Sequence, residues 1–270
     1  MCIRDSNGTK EDNFDVDSAY EEIEEPITKP GDIWILGNHR LMCGDSTHKD
    51  DIMRLMNNQD ADMLLTDPPY NVDYVGKTAE ALKIKNDNMD DNQFYEFLRK
   101  VFENMYIVTK EGASIYVFHA DTEGINFRKA FKDAGFKLAE CLIWKKDCFV
   151  MGRQDYQWQH EPVLYGWKEG KAHYFINDRT QSTILEFDRP KQSTLHPTMK
   201  PIDLIAKLIK NSSKENDIIL DLFGGSGSTI IAAEQLNRCC YTMELDPKYC
   251  DVIVKRWETL TNKEAILNKR

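Results

Sequence analysis

The stretch DIILDLFGGSGSTIIAAEQLNRCCYTMEL, Asp217 to Leu245, decides how the rest of the chain is read. Asp217 to Leu222 is an apolar run with strand character, and Gly224-Gly225-Ser226-Gly227 is a turn. A helix pattern starts at Ser228, and Cys239 to Glu244 is a second strand. Its closing acid, Glu244, lies 23 residues beyond Asp221. A strand, a glycine turn, a helix and a strand ending in an acid form a nucleotide-cofactor unit, because glycine lets the backbone turn tightly and approach a ligand. A phosphate loop needs a Lys before its Ser or Thr, and none lies between Asp221 and Arg238. A dinucleotide loop of the form Gly-x-Gly-x-x-Gly differs only slightly and stays open, as does a turn that merely packs helix on strand. Asp221 favours a cationic amino-acid cofactor such as S-adenosylmethionine, since it would repel a pyrophosphate.

Outward from this unit the chain has 270 residues, 35 Lys+Arg against 45 Asp+Glu and a formal net charge of -10. With 41% hydrophobic residues, that length suits one sizeable α/β core. Nothing approaches the roughly 18 consecutive apolar residues of a membrane span, and the N-terminus lacks a secretory order, so a cytoplasmic location is expected. The 7 cysteines contain no Cys-x-x-Cys and are expected to be reduced and structural, with no metal site. Residues 1–32 hold ten acids and three bases, a net of -7. Residues 1–31 are therefore expected to form an acidic flexible leader, and residues 32–270 the folded domain.

Alternating patterns fill that domain. Ile33 to Leu36 and His39 to Cys43 flank a Gly37-Asn38 turn as a hairpin. A helix over about His48 to Asn58 precedes a buried strand, Ala61 to Thr66. Phe94, Phe97, Leu98, Val101 and Met105 mark one helix face, and Phe127, Ala130, Phe131 and Ala134 another. Ser114 to His119 and Lys137 to Trp144 are further strands, and helices follow Pro201 and Asp246-Pro247. Such alternation predicts a largely parallel sheet covered by helices on both faces. Residues 145–200 break the rhythm, with nine bases against seven acids and many aromatic residues.

The Ala61 to Thr66 strand runs into Asp67-Pro68-Pro69-Tyr70. Two prolines remove amide donors and restrict φ, leaving the Asp67 carboxylate and Pro68 carbonyl as fixed acceptors beside an aromatic ring. That set suits a planar amine. The lone pair of a nucleobase amine is delocalised into its ring. Accepting both N–H groups would favour a pyramidal nitrogen and stabilise charge as a methyl group arrives. Tyr70 would stack on a base extruded from its helix.

Together these residues resemble an amino-methyltransferase acting on DNA, of the adenine-N6 type in the permuted order called the β group, over about residues 32–260. His196-Pro197-Thr198-Met199-Lys200-Pro201, Gly44-Asp45 and Glu244-Leu245-Asp246-Pro247-x-Tyr249 carry the same resemblance. Cell-cycle-regulated and ParB-associated DNA methylases look most similar. The resemblance implies a circularly permuted Rossmann-like methyltransferase fold with a mixed seven-stranded sheet, and S-adenosylmethionine as cofactor. It implies that Asp45 contacts the cofactor's adenine, Glu244 its ribose, and Thr198 and Lys200 its methionine end, with Asp221, Phe223, Gly224, Gly225 and Gly227 lining the loop. Asp67, Pro68, Pro69 and Tyr70 would be catalytic.

Residues from about 145 to 195 would form an inserted target-recognition region contacting DNA through Arg153, Trp158, Arg179 and Arg189. His160-Glu161, which looks like a metal or acid/base pair, is expected to be structural. Asn71 to Asp90 has the polar composition of a loop closing over the target base, which an ordinary surface loop shares. A homodimer and a ParB-like or restriction partner are further implications. Without a Pro-Cys dipeptide, ring-carbon methylation through a covalent cysteine is disfavoured, so transfer is expected to be direct. The alternatives are the same chemistry on the N4 amine of cytosine and a catalytically silent DNA-binding module. A nicotinamide dehydrogenase gives no account of Asp67 to Tyr70.

Overall fold

The strand after the glycine turn and the strand before the Asp67 turn both belong to one sheet in the computed structural model, which describes residues 9–72, 89–189 and 199–268. In chain order the strands are β1 (Ile33–Leu36), β2 (His39–Cys43), β3 (Ala61–Thr66), β4 (Thr109–Phe118), β5 (Lys137–Val150), β6 (Trp158–Trp167), β7 (Ile184–Glu186), β8 (Ile218–Asp221), β9 (Cys239–Glu244) and β10 (Ile266–Asn268). The helices are α1 (Val16–Glu22), α2 (Lys49–Met56), α3 (Asp91–Ile107), α4 (Gly124–Asp133), α5 (Ile202–Ser212), α6 (Ser228–Gln235) and α7 (Pro247–Thr261). The spatial order is β10-β1-β2-β9-β8-β3-β4-β6-β5-β7. The five central strands β2, β9, β8, β3 and β4 run parallel, and the edges add antiparallel pairs.

Two apolar layers cover the sheet. Residues of α5, α6 and α7 pack on one face around Leu41, Leu65, Phe118 and Val163. Those of α2, α3 and α4 pack on the other around Met42, Leu64, Val117 and Leu164. Successive strand residues point to opposite faces, and both faces of the central strands are buried, which is why those strands are apolar runs without alternation. No helix among the described residues is long and apolar enough to cross a membrane.

The sheet has ten strands among the described residues rather than the seven expected. β1 is the first strand of the hairpin read from the sequence, while β10, at the edge beside it, was not foreseen. β10 is three residues long and takes its place by antiparallel pairing with β1, a contact that local sequence does not encode. Much of the segment from 145 to 195, expected as an insertion, is the sheet itself: β5 and β6 form a long antiparallel hairpin, and β7 pairs parallel with β5.

The acidic leader also differs from its expectation. Residues 9–31 lie along the body, with α1 packing Val16 and Ala19 beside Val252 of α7. Arg256 of α7 is buried, and its Nε and Nη2 donate to Asp12 Oδ2 and Oδ1 at 2.7 and 2.8 Å. Thr28 bonds Asp251 through both backbone and hydroxyl, and Tyr20 meets the Tyr249 ring at 4.6 Å. The acids hold this segment down because their partners sit on α7.

Candidate active site

Parallel pairing of β3 with β8 sets Leu64 opposite Leu220, so the two strands end together and their turns emerge side by side. From β3 the chain proceeds to β4 on one side, and from β8 to β9 on the other. This is the crevice at a topological switch point where open α/β sheets bind ligands. A direct link joins the two turns: Thr66 Oγ1 donates to Asp221 Oδ1 at 3.2 Å. The Asp221 carboxylate also accepts the Thr229 hydroxyl at 2.6 Å and the Phe223 amide at 3.1 Å. It braces the glycine loop from beneath. Burial pushes its pKa up to about 7.

The glycine loop is shaped by close approach. A Cβ on Gly224 would stand 2.8 Å from Thr242 Oγ1, a buried hydroxyl with no partner among the described residues. Gly225 has φ +50, and a Cβ there would meet no atom within 4 Å, so this turn faces open space. Gly227, at φ +86, precedes the first turn of α6. Glu244 closes the far side: Oε2 accepts the Gly225 amide at 2.8 Å and Oε1 the Asp246 amide at 2.9 Å. Burial raises its pKa to about 7 as well. β2 brings Asp45 next to it, because Cys43 is registered with Glu244 and the Gly44 amide donates to the Glu244 carbonyl. Asp45 Oδ1 accepts the amide and hydroxyl of Thr47 at 2.8 and 2.7 Å.

The Asp67 turn carries a denser charge cluster. Tyr70 donates its hydroxyl to Asp67 Oδ1 at 2.5 Å and lies 3.1 Å from Glu161 Oε2. Lys200 Nζ donates to Asp67 Oδ2 at 2.5 Å and is 3.2 Å from Glu161 Oε2. Lys146 Nζ donates to Glu161 Oε1 at 2.6 Å. Two carboxylates thus face two ammonium groups around one phenol. Burial raises Asp67 above the usual carboxylate range, and Lys200 only partly offsets it. Burial acts the same way on Glu161, but Lys200 and Lys146 together overcome it and hold that carboxyl down at about 2. Lys200 stays above its ordinary range because Asp67 and Glu161 outweigh the effect of burial.

The residues named from sequence therefore fall into three groups. Asp67 and Tyr70 of the proline turn meet Lys200, and Asp221, Gly224, Gly225, Glu244 and Asp45 form the adjacent wall around the glycine loop. Phe223 packs its ring edge against Phe97 at the wall's base. Lys200, expected at a cofactor carboxylate, instead meets the carboxylates of Asp67 and Glu161. The third group lies on the hairpin and its neighbours. Trp158 sits edge-on to His160 at 5.5 Å, and Arg153 and Arg179 are exposed. Arg189 is tied to Asp147 by its amide at 3.1 Å. Thr198 and most of the Asn71 to Asp90 loop lie outside the described residues.

Glu161 and Lys146 are the functional candidates that motif reading missed. The pair His160-Glu161 divides across the sheet, because neighbouring strand residues face opposite ways. Glu161 shares its face with Val163 and Tyr165, and Lys146 shares its face with Leu142 and Trp144, all of them core residues. Charged residues at inward positions of two paired strands were the available signal.

Residues 61–255 match the family model N6_N4_Mtase, described as DNA methylase. The chain is 26% identical over 257 residues to Type II methyltransferase M.HpaI of Haemophilus parainfluenzae, covering 86% of this chain and 78% of that one. It is 24% identical over 240 residues to the DNA adenine methyltransferase YhdJ of Escherichia coli, covering 77% and 79%. Among solved structures, a putative DNA modification methylase of Thermus thermophilus complexed with S-adenosyl-L-methionine superposes with a TM-score of 0.60 at 20% identity, covering 82% of this chain and 93% of that one. PvuII DNA methyltransferase, cytosine-N4-specific, does so with a TM-score of 0.66 at 17% identity, covering 88% and 94%.

Proposed function

Since the chain belongs to the DNA methylase family, we propose that it transfers a methyl group from S-adenosylmethionine to the exocyclic N6 amine of adenine at specific sites in DNA. The observation that carries this reading is the junction of the two turns through Thr66 and Asp221, which brings the Asp67 turn beside the glycine loop. The relatives support the base and the cofactor. One is named a DNA adenine methyltransferase, and a neighbour of the same fold is complexed with S-adenosyl-L-methionine.

The residues present fit that cofactor. A buried carboxylate raised to about 7 regains its charge next to a cation, and Asp221 lies under the loop where the cation would sit. Glu244 and Asp45 would hold the nucleoside part, and the open surroundings of Gly225 leave room for it. When bound, S-adenosylmethionine supplies an electrophilic methyl group on a sulfonium. The chain's own residues do the rest. Asp67 and the Pro68 carbonyl accept the two N–H bonds of the target amine, directing its lone pair toward the methyl group, while Tyr70 stacks on the extruded base. Asp67, with its raised affinity for protons, takes the proton that the methylated nitrogen sheds. Lys200 holds Asp67 in place.

DNA contacts are assigned to Arg153, Trp158, Arg179 and Arg189 on the hairpin side, with cytoplasmic action. Association with a second copy, a ParB-like protein or a restriction partner belongs to the same reading. Incubation of unmethylated genomic DNA with tritium-labelled S-adenosylmethionine, followed by nucleoside mass analysis, tests it. N6-methyladenine is expected. N4-methylcytosine would transfer the assignment to cytosine, and no incorporation would overturn the enzyme.

A further inference from the structure

Glu161 belongs to no part of the mechanism above, yet it reaches both partners of the Asp67 carboxylate. Its Oε2 is 3.2 Å from Lys200 Nζ and 3.1 Å from the Tyr70 hydroxyl, while Asp67 receives the same two donors at 2.5 Å each. A carboxylate oxygen has two acceptor sites, so an Asp67 engaged by both donors has correspondingly less charge to offer an amine. A second carboxylate on the same donors draws charge back from them. Glu161 does so as an anion because Lys200 and Lys146 both face it, and Lys146, buried with its side chain over Trp144, adds a counter-charge that Asp67 does not share.

We propose that Glu161, held by Lys146, is a positioning residue that shares Lys200 and Tyr70 with Asp67, and so keeps Asp67 a strong acceptor for the target amine and its proton. The inference rests on the amine-methylation reading given above. The groups facing Asp67 set the direction of the effect. Tyr70 comes from its own turn, Lys200 from the segment before α5, Glu161 from β6 with Lys146 of β5 behind it, and Asp221 from β8. His119, just after β4, packs at 5.2 Å on the Phe127 ring of α4 and feels Arg128 of the same helix, and that ring meets Tyr70 edge-on at 6.5 Å. Glu161 and Asp221 favour a proton on Asp67; Lys200 opposes it.

Removing either charged partner therefore moves Asp67 in an opposite sense. Glu161→Gln takes one carboxylate from Lys200, so Asp67 binds protons less readily and the acid limb of the single-turnover rate moves to lower pH. Its plateau falls at least about tenfold, a loss typical of weakening one acid–base contact. Lys146→Met draws Lys200 toward Glu161, and the acid limb moves to higher pH. Glu161→Asp recovers part of the plateau. Affinity for S-adenosylmethionine, measured by calorimetry, changes by less than about twofold, because the loop contacts are untouched.

Single-turnover methyl transfer across pH, normalised to cofactor-binding sites, reads the rates. Carbon-13 NMR of the Asp67 carboxyl reads the same shifts without turnover. Opposite displacements in the two variants are the expected result, and equal rates or displacements in one direction overturn the proposal. If Glu161→Gln fails to fold, the upward displacement in Lys146→Met decides the matter alone. A wild-type protein that leaves adenine unmethylated refutes the function instead, and the NMR titration still judges Glu161.

Discussion

Replacing Asp12 by Ala tests whether the acidic N-terminal segment is a structural strap. Arg256 is 2% exposed, and two of its three guanidinium nitrogens donate to Asp12. The third donates to the Ser226 carbonyl at 2.8 Å, inside the glycine loop. Asp12→Ala leaves the buried guanidinium with its bonds to Ser226 but without its anionic partner. Removing one member of a buried pair costs about 3–5 kcal/mol, and the strap limits the loss toward the lower figure because it can peel away and let water reach Arg256. A loss of about 3 kcal/mol lowers the melting temperature by roughly 6–12 °C in a protein of this size. Denaturant unfolding and differential scanning calorimetry measure it, limited proteolysis detects peeling, and calorimetric titration shows whether cofactor affinity falls as the Ser226 turn loosens. The double variant Asp12→Ala/Arg256→Met should recover most of the stability, since it removes both charges. An Asp12→Ala protein within about 0.5 kcal/mol of wild type, equally resistant to protease, would refute the reasoning.

Three other outcomes follow from the site. Asp67→Ala should abolish methyl transfer while cofactor affinity persists, because the Asp67 side chain bonds Tyr70 and Lys200 rather than the glycine loop; normal turnover would remove Asp67 from the mechanism. Asp221 and Glu244 both have pKa values raised to about 7, so the fold retains protons that the unfolded chain sheds near 4. Their contribution to stability is therefore greatest at low pH and diminishes as pH rises through about 7. Conversely, a cationic cofactor should bind more tightly from pH 6 to 8 with release of a proton, measured by calorimetry in buffers of different ionisation enthalpy. Asp221→Asn should flatten that dependence. Gly224→Ala forces a Cβ to within 2.8 Å of Thr242 Oγ1, and should cost about 1–3 kcal/mol of stability with a clear loss of cofactor affinity, read by melting and titration.

The parts legible in the sequence were those whose signal is local. β1, β2, β3 and β9 have the predicted bounds, because apolar runs next to Gly, Pro or Asn turns carry their own boundaries. The Asp67 and Gly224 turns were found from residues contiguous in the chain, and their adjacency from the alternation of strands and helices. What escaped depends on distant partners. Asp12 has few apolar neighbours and finds Arg256 a full chain length away, so α1 and the strap looked like solvated tail. Glu161 and Lys146 are unremarkable surface residue types until β5 and β6 pair and turn them inward. Lys200 was identified as an anion partner, but which anion depended on the placement of β6 beside β4.

The strap also gives the molecule an electrical orientation. Residues 1–32 carry a net charge of -7, and over residues 9–31 they lie against α7 and the start of α5. The stretch with a surplus of bases, 145–200, includes the end of β5 and all of β6 and β7, toward the opposite edge of the sheet from β1 and β10. A polyanion meeting this surface is repelled at one end and drawn to the other within about 10 Å, the reach of such fields at moderate salt. A nucleic acid approaching the chain would meet this asymmetry before any closer contact forms.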